Sequence, residues 1–118
     1  QTPVPCKGGV QVRSHWLPRM DDPEAKGFYG YRANIETRAK DGTGSIIDEN
    51  GRGRLVLPSP EAQEAVKAAE WNTLRIDGTG GVLEVWVNGV RANRLFDEAF
   101  IGGRIALVVS PLDGAEGA

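Results

Sequence analysis

The 118 residues of this chain are enough for one domain, and 40% hydrophobic with 25% charged residues is typical of a folded globular protein. A net charge of -2 and a pI near 5.4 argue against the basic surface of a nucleic-acid or anionic-membrane binder. The longest apolar run, residues 105–109, is far shorter than the roughly 20 residues that cross a bilayer. Sixteen glycines and seven prolines between short apolar runs predict an all-β fold with frequent turns.

The first two predicted strands carry polar side chains on one face. Residues 10–16 and 28–37 alternate apolar with polar positions, as half-buried strands do. Residues 17–27, between them, lack this period and predict a surface loop. If the two strands are neighbours, their outward side chains form one polar patch, suited to gripping sugar hydroxyls. Its members are Gln11, Arg13, His15, Arg32, Asn34 and Glu36.

One helix is predicted, after a short hairpin of residues 45–48 and 54–57. Ser59 is a good N-cap and Pro60 suits the first helical position. The helix is expected over residues 60–69, and its thin apolar stripe predicts a surface connection rather than a core element.

Three consecutive antiparallel strands are predicted over residues 70–95. Asn88-Gly89 is the strongest two-residue hairpin signal, because both turn positions must tolerate positive φ. A four-residue loop, GTGG at residues 78–81, would join the first two strands. That register places apolar pairs on one face and opposite charges on the other. The resulting pairs are Ile76 with Leu83, Leu74 with Val85, Thr73 with Trp86 and Arg75 with Glu84.

His15 is the only histidine, and so the only side chain expected to titrate near neutrality without perturbation. With Glu36 as its carboxylate partner it could act as a general acid or base; the alternative is a solvated surface histidine. Arg75 and Trp86 would extend the polar patch if their strands joined the same sheet. No cofactor motif and no metal-ligand spacing is present, and a divalent metal is left open.

Five segments follow one another in the order and separations of a known family. They are GGVQVRS (8–14), GYRANIE (30–36), GSIIDENGRGRLV (44–56), EWNTLRI with WVNG (70–76 and 86–89), and GGRIALVVS (102–110). Together they resemble the 3-keto-disaccharide hydrolase family. The resemblance implies a concanavalin-like jelly-roll sandwich in a single domain, residues 1–118. It also implies cleavage of glycosides that carry a ketone at C3, where a base removes the acidified neighbouring proton, the leaving group departs and water adds.

Under this resemblance, His15 and Glu36 would be catalytic, and Gln11, Arg13, Arg32, Asn34, Arg75 and Trp86 would bind the sugar. The chain departs from the family at several polar positions, since Val85 and Val108 replace polar residues there. Asn34 and Ser110 likewise replace the family's usual carboxylate and histidine. A non-catalytic carbohydrate-binding or interaction module is therefore the alternative, and a truncated remnant is a third reading.

The resemblance also implies further strands before and after the matching segments. We therefore expect an incomplete sandwich, with exposed apolar surface or an unpaired edge beside residues 10–16 or the last strand, residues 104–109. Such edges would allow pairing with another chain. The expected ligand is a sugar or glycoside, with no nucleic-acid or membrane partner. A secreted or periplasmic location is suggested by the family alone.

Overall fold

A computed structural model describes residues 7–19, 21–36, 42–67 and 70–110 of the chain. Within these ranges, eight strands and one short helix follow one another with brief connections. The elements are β1 (Lys7–Pro18), β2 (Lys26–Glu36), β3 (Ile46–Glu49), β4 (Gly53–Val56), α1 (Pro60–Ala65), β5 (Leu74–Thr79), β6 (Val82–Val87), β7 (Val90–Phe96) and β8 (Arg104–Ser110).

The strands form two antiparallel sheets that pack against each other. The large sheet has the order β4-β3-β2-β1-β8, and the small sheet has the order β5-β6-β7. Their facing sides share one buried hydrophobic cluster, which holds Tyr31 and Ile46 from the large sheet and Leu83 and Val85 from the small one. We call these sides the core faces and the opposite sides the outer faces. The arrangement confirms the predicted all-β antiparallel sandwich.

The Asn88-Gly89 turn between β6 and β7 is confirmed. Both residues have positive φ, 49° and 82°, as a two-residue hairpin of this type requires. The Asn88 side chain also joins neighbouring segments: its Nδ2 donates to the carbonyl oxygen of Ala65 at 2.6 Å, and its Oδ1 accepts from the N–H of Thr73 at 2.8 Å. The turn therefore ties the end of α1 and the start of β5 to the small sheet.

The predicted register between β5 and β6 is wrong by two residues. β5 continues through Thr79, which pairs with Val82 across a two-residue turn, so Arg75 lies opposite Trp86 instead of Glu84. Gly80 takes up a φ of 57°, which lets so short a turn follow the twist of the strands. A shift of two residues leaves every side chain on its predicted face, because strands alternate with a period of two.

The helix is shorter than predicted. Ser59 caps it as expected, its Oγ accepting from the N–H of Ala62 at 3.2 Å, but α1 ends at Ala65 and Val66 is already extended. Asn72 then holds the backbone of Lys67, accepting from its N–H at 2.7 Å and donating to its carbonyl oxygen at 2.9 Å. These bonds replace the helical ones, while positions 68–69 of the predicted helix lie outside the described residues.

The small sheet leaves the core face of β8 uncovered by any described residue. β5 lies over β1, since a Cβ added at Gly78 would come within 2.9 Å of Arg13 Nη2, and β8 lies beyond β1. Ile105 and Leu107, on that uncovered face, are 76% and 83% exposed. Exposed apolar surface was expected beside this strand, and it is found there.

Replacing Asn88 by alanine is expected to lower the free energy of unfolding by about 1–2 kcal/mol, because its side-chain hydrogen bonds to Ala65, Asn72 and Thr73 are lost together with a favoured positive φ. Urea unfolding of the purified chain measures the change. Asn88→Gly separates the two causes, since glycine keeps the backbone conformation but makes none of the side-chain bonds. A loss confined to the alanine variant would show that the side-chain bonds contribute nothing.

Candidate functional site

A row of polar side chains crosses the outer face of the large sheet. Gln11 of β1 lies directly opposite Arg32 of β2, and Asn34 follows two residues along on the same face. All three are buried, with Gln11 fully inaccessible and Asn34 3% exposed. This part of the predicted patch is confirmed as a set of neighbours, and it is far less exposed than a solvated sheet face.

The row is only partly hydrogen-bonded within the described residues. Gln11 accepts from the hydroxyl of Ser14, Arg32 Nη1 donates to Glu49 Oε1 at 2.9 Å, and Asn34 donates to a backbone carbonyl. Gln11 Nε2, Arg32 Nε and Asn34 Oδ1 have no hydrogen-bond partner in the described part of the chain. Each such buried group costs about 1–3 kcal/mol, which core packing alone does not explain.

A β-bulge in β1 decides which side chains reach this face. Arg13 has a φ of 55°, and the pairing of β1 with β2 shifts between Val12 and His15. Gly30 lies beneath the bulge, where a Cβ would come 2.8 Å from the carbonyl oxygen of Val12. The inserted residue inverts the alternation, so Ser14, and not Arg13, occupies the outer face after Gln11.

Arg13 and His15 are therefore not members of the polar patch, and the prediction that placed them there is wrong. Both turn towards the loop that precedes β8: Arg13 Nη1 donates to the carbonyl oxygen of Phe100 at 3.1 Å, and His15 Nε2 lies 2.7 Å from that of Gly102. The imidazole also stacks on the ring of Phe100, with 5.6 Å between centroids. Their geometry supports a role in holding this loop.

His15 and Glu36 do not form the predicted acid–base pair. His15 lies opposite Tyr29, whereas Glu36 lies opposite Lys7 at the far end of the same two strands. Seven residues of β2 separate these positions, which is roughly 23 Å at about 3.3 Å per residue. A proton cannot pass directly between groups so far apart.

Arg75 and Trp86 lie on the outer face of the small sheet, so they do not extend the patch. The Arg75 guanidinium carbon is 4.8 Å from the centre of the Trp86 ring, a cation–π contact, and Arg75 also pairs with Asp77 at 2.9 Å. Because the core separates the two outer faces, these side chains and Gln11 cannot contact the same small ligand.

An open cleft of about 490 Å³ continues the polar row towards the end of β1. Trp16 and Phe28 form one wall, with their ring centroids 4.6 Å apart. Trp16 is 54% exposed and Phe28 is 49% exposed. Ser14 and Arg104 face each other across the β1–β8 pair at its other side. The residues that line the cleft are Ser14, His15, Trp16, Phe28, Gly103, Arg104, Ile105 and Ala106.

Sequence reasoning missed these aromatic residues. Phe28 is separated from Arg32 and Asn34 by an even number of residues along β2, so strand alternation alone predicts that it shares their face. Trp16 has the parity of the apolar positions Val10 and Val12, so only the bulge brings it to the outer face.

A partly buried network holds the loop that leads into β8. Arg52 donates to both carboxylate oxygens of Asp97, at 2.7 and 2.9 Å, and to Asp48 at 2.5 Å; the hydroxyl of Tyr31 donates to Asp97 as well. The bonds from Arg52 hold the pKa of Asp97 well below its usual range. The pKa of Tyr31 is raised, mainly because the hydroxyl is buried and also because it is bonded to Asp97. The network thereby holds the start of this loop, at Asp97, to β2 and to the turn between β3 and β4.

α1, the one helix among the described residues, has six residues and cannot span a membrane. No group of three or more His, Cys, Asp or Glu side chains in the described part of the chain is arranged to hold a metal ion.

A comparison with protein-family models gives a match over most of the chain. The family model described as the 3-keto-alpha-glucoside-1,2-lyase-like domain, or 3-keto-disaccharide hydrolase, matches residues 2–109. No curated protein matches the chain. The match runs through nearly all of both sheets, including the strands that carry the polar row and the cleft. The chain therefore belongs to the family of 3-keto-alpha-glucoside-1,2-lyase-like domains.

Proposed function

We propose that this chain recognises a carbohydrate in the cleft beside Trp16 and Phe28, with 3-keto-glycosides as the class that the family indicates. The supporting observation is the exposed aromatic pair, which stands next to hydrogen-bonding groups of Ser14 and Arg104. Large aromatic side chains are rarely left half-exposed together unless a ligand or partner covers them.

A sugar ring suits this chemistry because its axial C–H groups form an apolar face and its hydroxyls form a polar rim. The aromatic wall would contact the apolar face, while Ser14 and Arg104 would bond the hydroxyls. Gln11 supports the arrangement, since its Oε1 accepts the Ser14 hydroxyl proton and thereby orients that group. A volume of about 490 Å³ falls within the range of about 300–1,000 Å³ that is usual for small-molecule sites.

Cleavage of the bound glycoside is the second candidate function, favoured by the family and by one carboxylate on the same face. Glu49 lies across Gly30 from the bulge, and its carboxylate accepts from Arg32 at 2.9 Å. In this proposal Glu49 takes the proton beside the C3 ketone, and the C–H electrons form a double bond. The glycosidic oxygen at C1 then leaves with its bonding electrons and takes up the proton that Glu49 had removed, and water adds across the resulting double bond. Arg32 would stabilise the intermediate oxyanion.

Replacing Trp16 by alanine is expected to weaken binding of a 3-keto-glucoside at least about tenfold, because the main apolar wall is lost. Titration calorimetry on the purified chain measures the affinity. Trp71→Ala is the matched control: this tryptophan is 77% exposed but precedes β5, away from the cleft, and should bind as the wild type does. Equal losses in both variants, or none in either, would contradict the assignment of the cleft.

The same samples separate binding from turnover. Product formation from the 3-keto-glucoside, abolished in Glu49→Gln while binding is retained, would establish the second candidate. Binding without product in the wild type would leave recognition alone. Absence of both would overturn the proposed function.

A further inference from the structure

One cation at the cleft, Arg104, has no counter-charge among the described residues. Arg104 is exposed, lines the cleft at the start of β8, and takes part in none of the ion pairs found among the described residues. Arginines on the sandwich otherwise often pair with a neighbouring carboxylate: Arg32 with Glu49, for example, and Arg52 with Asp97. An unpaired guanidinium beside an aromatic wall is suited to binding an anionic group.

The acidic residues nearest in sequence are turned away from Arg104. Asp97 is occupied by Arg52 and Tyr31. Glu98 lies beside the β5–β6 turn, where a Cβ added at Gly81 would be 3.0 Å from its Cγ. Among the described residues that line the cleft none is acidic, and Glu49, on the same face of the sheet, is paired with Arg32. Nothing in its described wall would therefore repel an anion or compete for the guanidinium.

Ser14 adds a second polar group at a defined position. It lies opposite Arg104 in the β1–β8 pair, and the bulge directs it to the same face. Beyond Ser14, β1 has no described neighbour on the β8 side, so the cleft opens there towards Trp16. The guanidinium, the hydroxyl and the aromatic wall thus surround one space.

We propose that the carbohydrate bound in this cleft carries an anionic substituent, a carboxylate or a phosphate, which Arg104 binds. This inference rests on the proposed function and specifies the class of its ligand. A guanidinium offers two parallel N–H donors, which match the two oxygens of either anion. The chain as a whole has a net charge of -2, so the preference for an anion is local to the cleft.

The test compares four probes on the purified chain by titration calorimetry: a methyl glucoside, the corresponding methyl glucuronide, a glucose phosphate and inorganic phosphate. The wild type should bind one of the two anionic sugars about tenfold more tightly than the neutral glucoside, as expected for a charge-assisted bond. The stronger of the two identifies the anion. Added salt should reduce the preference.

Arg104→Gln should abolish the preference, so that the neutral glucoside and the anionic sugars bind this variant with equal affinity. Arg94→Gln is the matched control, because it removes the same charge from an exposed position in β7 on the small sheet, and it should keep the preference. Circular dichroism verifies that both variants fold.

Three results would overturn the inference while leaving the proposed function intact. The first is equal affinity of the wild type for neutral and anionic sugars. The second is a preference that survives in Arg104→Gln. The third is binding of inorganic phosphate as tight as that of the anionic sugars, which would show an anion site without sugar recognition. Failure of every sugar to bind would overturn the proposed function and this inference together.

Discussion

Replacing Asp97 by asparagine is expected to lower the free energy of unfolding by about 2 kcal/mol at neutral pH. The Asp97 carboxylate accepts from Arg52, from the buried hydroxyl of Tyr31 and from the N–H of Ala99. Asparagine keeps the size of the side chain but loses its charge and one acceptor oxygen. The figure is modest because about half of the Arg52 side chain is exposed to solvent, which screens the ion pair.

The pH dependence has a definite sign. The pKa of Asp97 is depressed in the folded state. Between its folded and unfolded pKa values, the folded chain therefore binds fewer protons than the unfolded chain. Its contribution to stability is present above the unfolded pKa of about 3.9 and is lost as the pH falls through the depressed folded value. Acidification below about pH 4 should therefore destabilise the wild type more than Asp97→Asn. Urea unfolding at several pH values measures both.

Asp21→Asn is the matched control, because Asp21 also pairs with an arginine, Arg19, at 2.8 Å, but on the exposed surface. Removing it should leave the urea midpoint unchanged, since exposed ion pairs contribute little. Equal effects of the two variants would contradict a structural role for the Asp97 network.

Replacing Gly103 by alanine is expected to destabilise the fold by about 2–4 kcal/mol. Gly103 has a φ of 144°, and an added Cβ would lie 2.4 Å from the carbonyl carbon of Arg13 and 2.7 Å from the nitrogen of Ser14. These are backbone atoms of the bulge and cannot turn aside as a side chain would. Relief of the clash must separate the start of β8 from β1, so Arg104 should move away from the cleft.

Gly102→Ala provides the control for this change. The neighbouring glycine has open space around an added Cβ, so alanine there should be tolerated. The free energy of unfolding and the affinity for the sugar probe should both fall in Gly103→Ala alone. A Gly103→Ala chain as stable as Gly102→Ala would contradict the close approach of the loop to the bulge.

Local patterns in the sequence were enough to predict several features of the fold. Alternation predicted both long strands, and it placed Gln11, Arg32 and Asn34 together on one face. The Asn88-Gly89 turn and the Ser59 cap could also be predicted from the sequence, because each depends on the conformational preferences of one or two residues. The same patterns gave the faces of β5 and β6 correctly while giving their register wrongly, since a slip of two preserves every face.

The family and the all-β sandwich could therefore be predicted from the sequence. Which side chains line the candidate site was decided by the tertiary structure. One residue, Arg13, is inserted into β1 where Gly30 and Gly103 leave room for the chain to bulge. That insertion removes His15 from the polar face and brings Trp16 to it. Alternation cannot reveal it, because a bulge is stabilised by backbone contacts between strands far apart in the sequence.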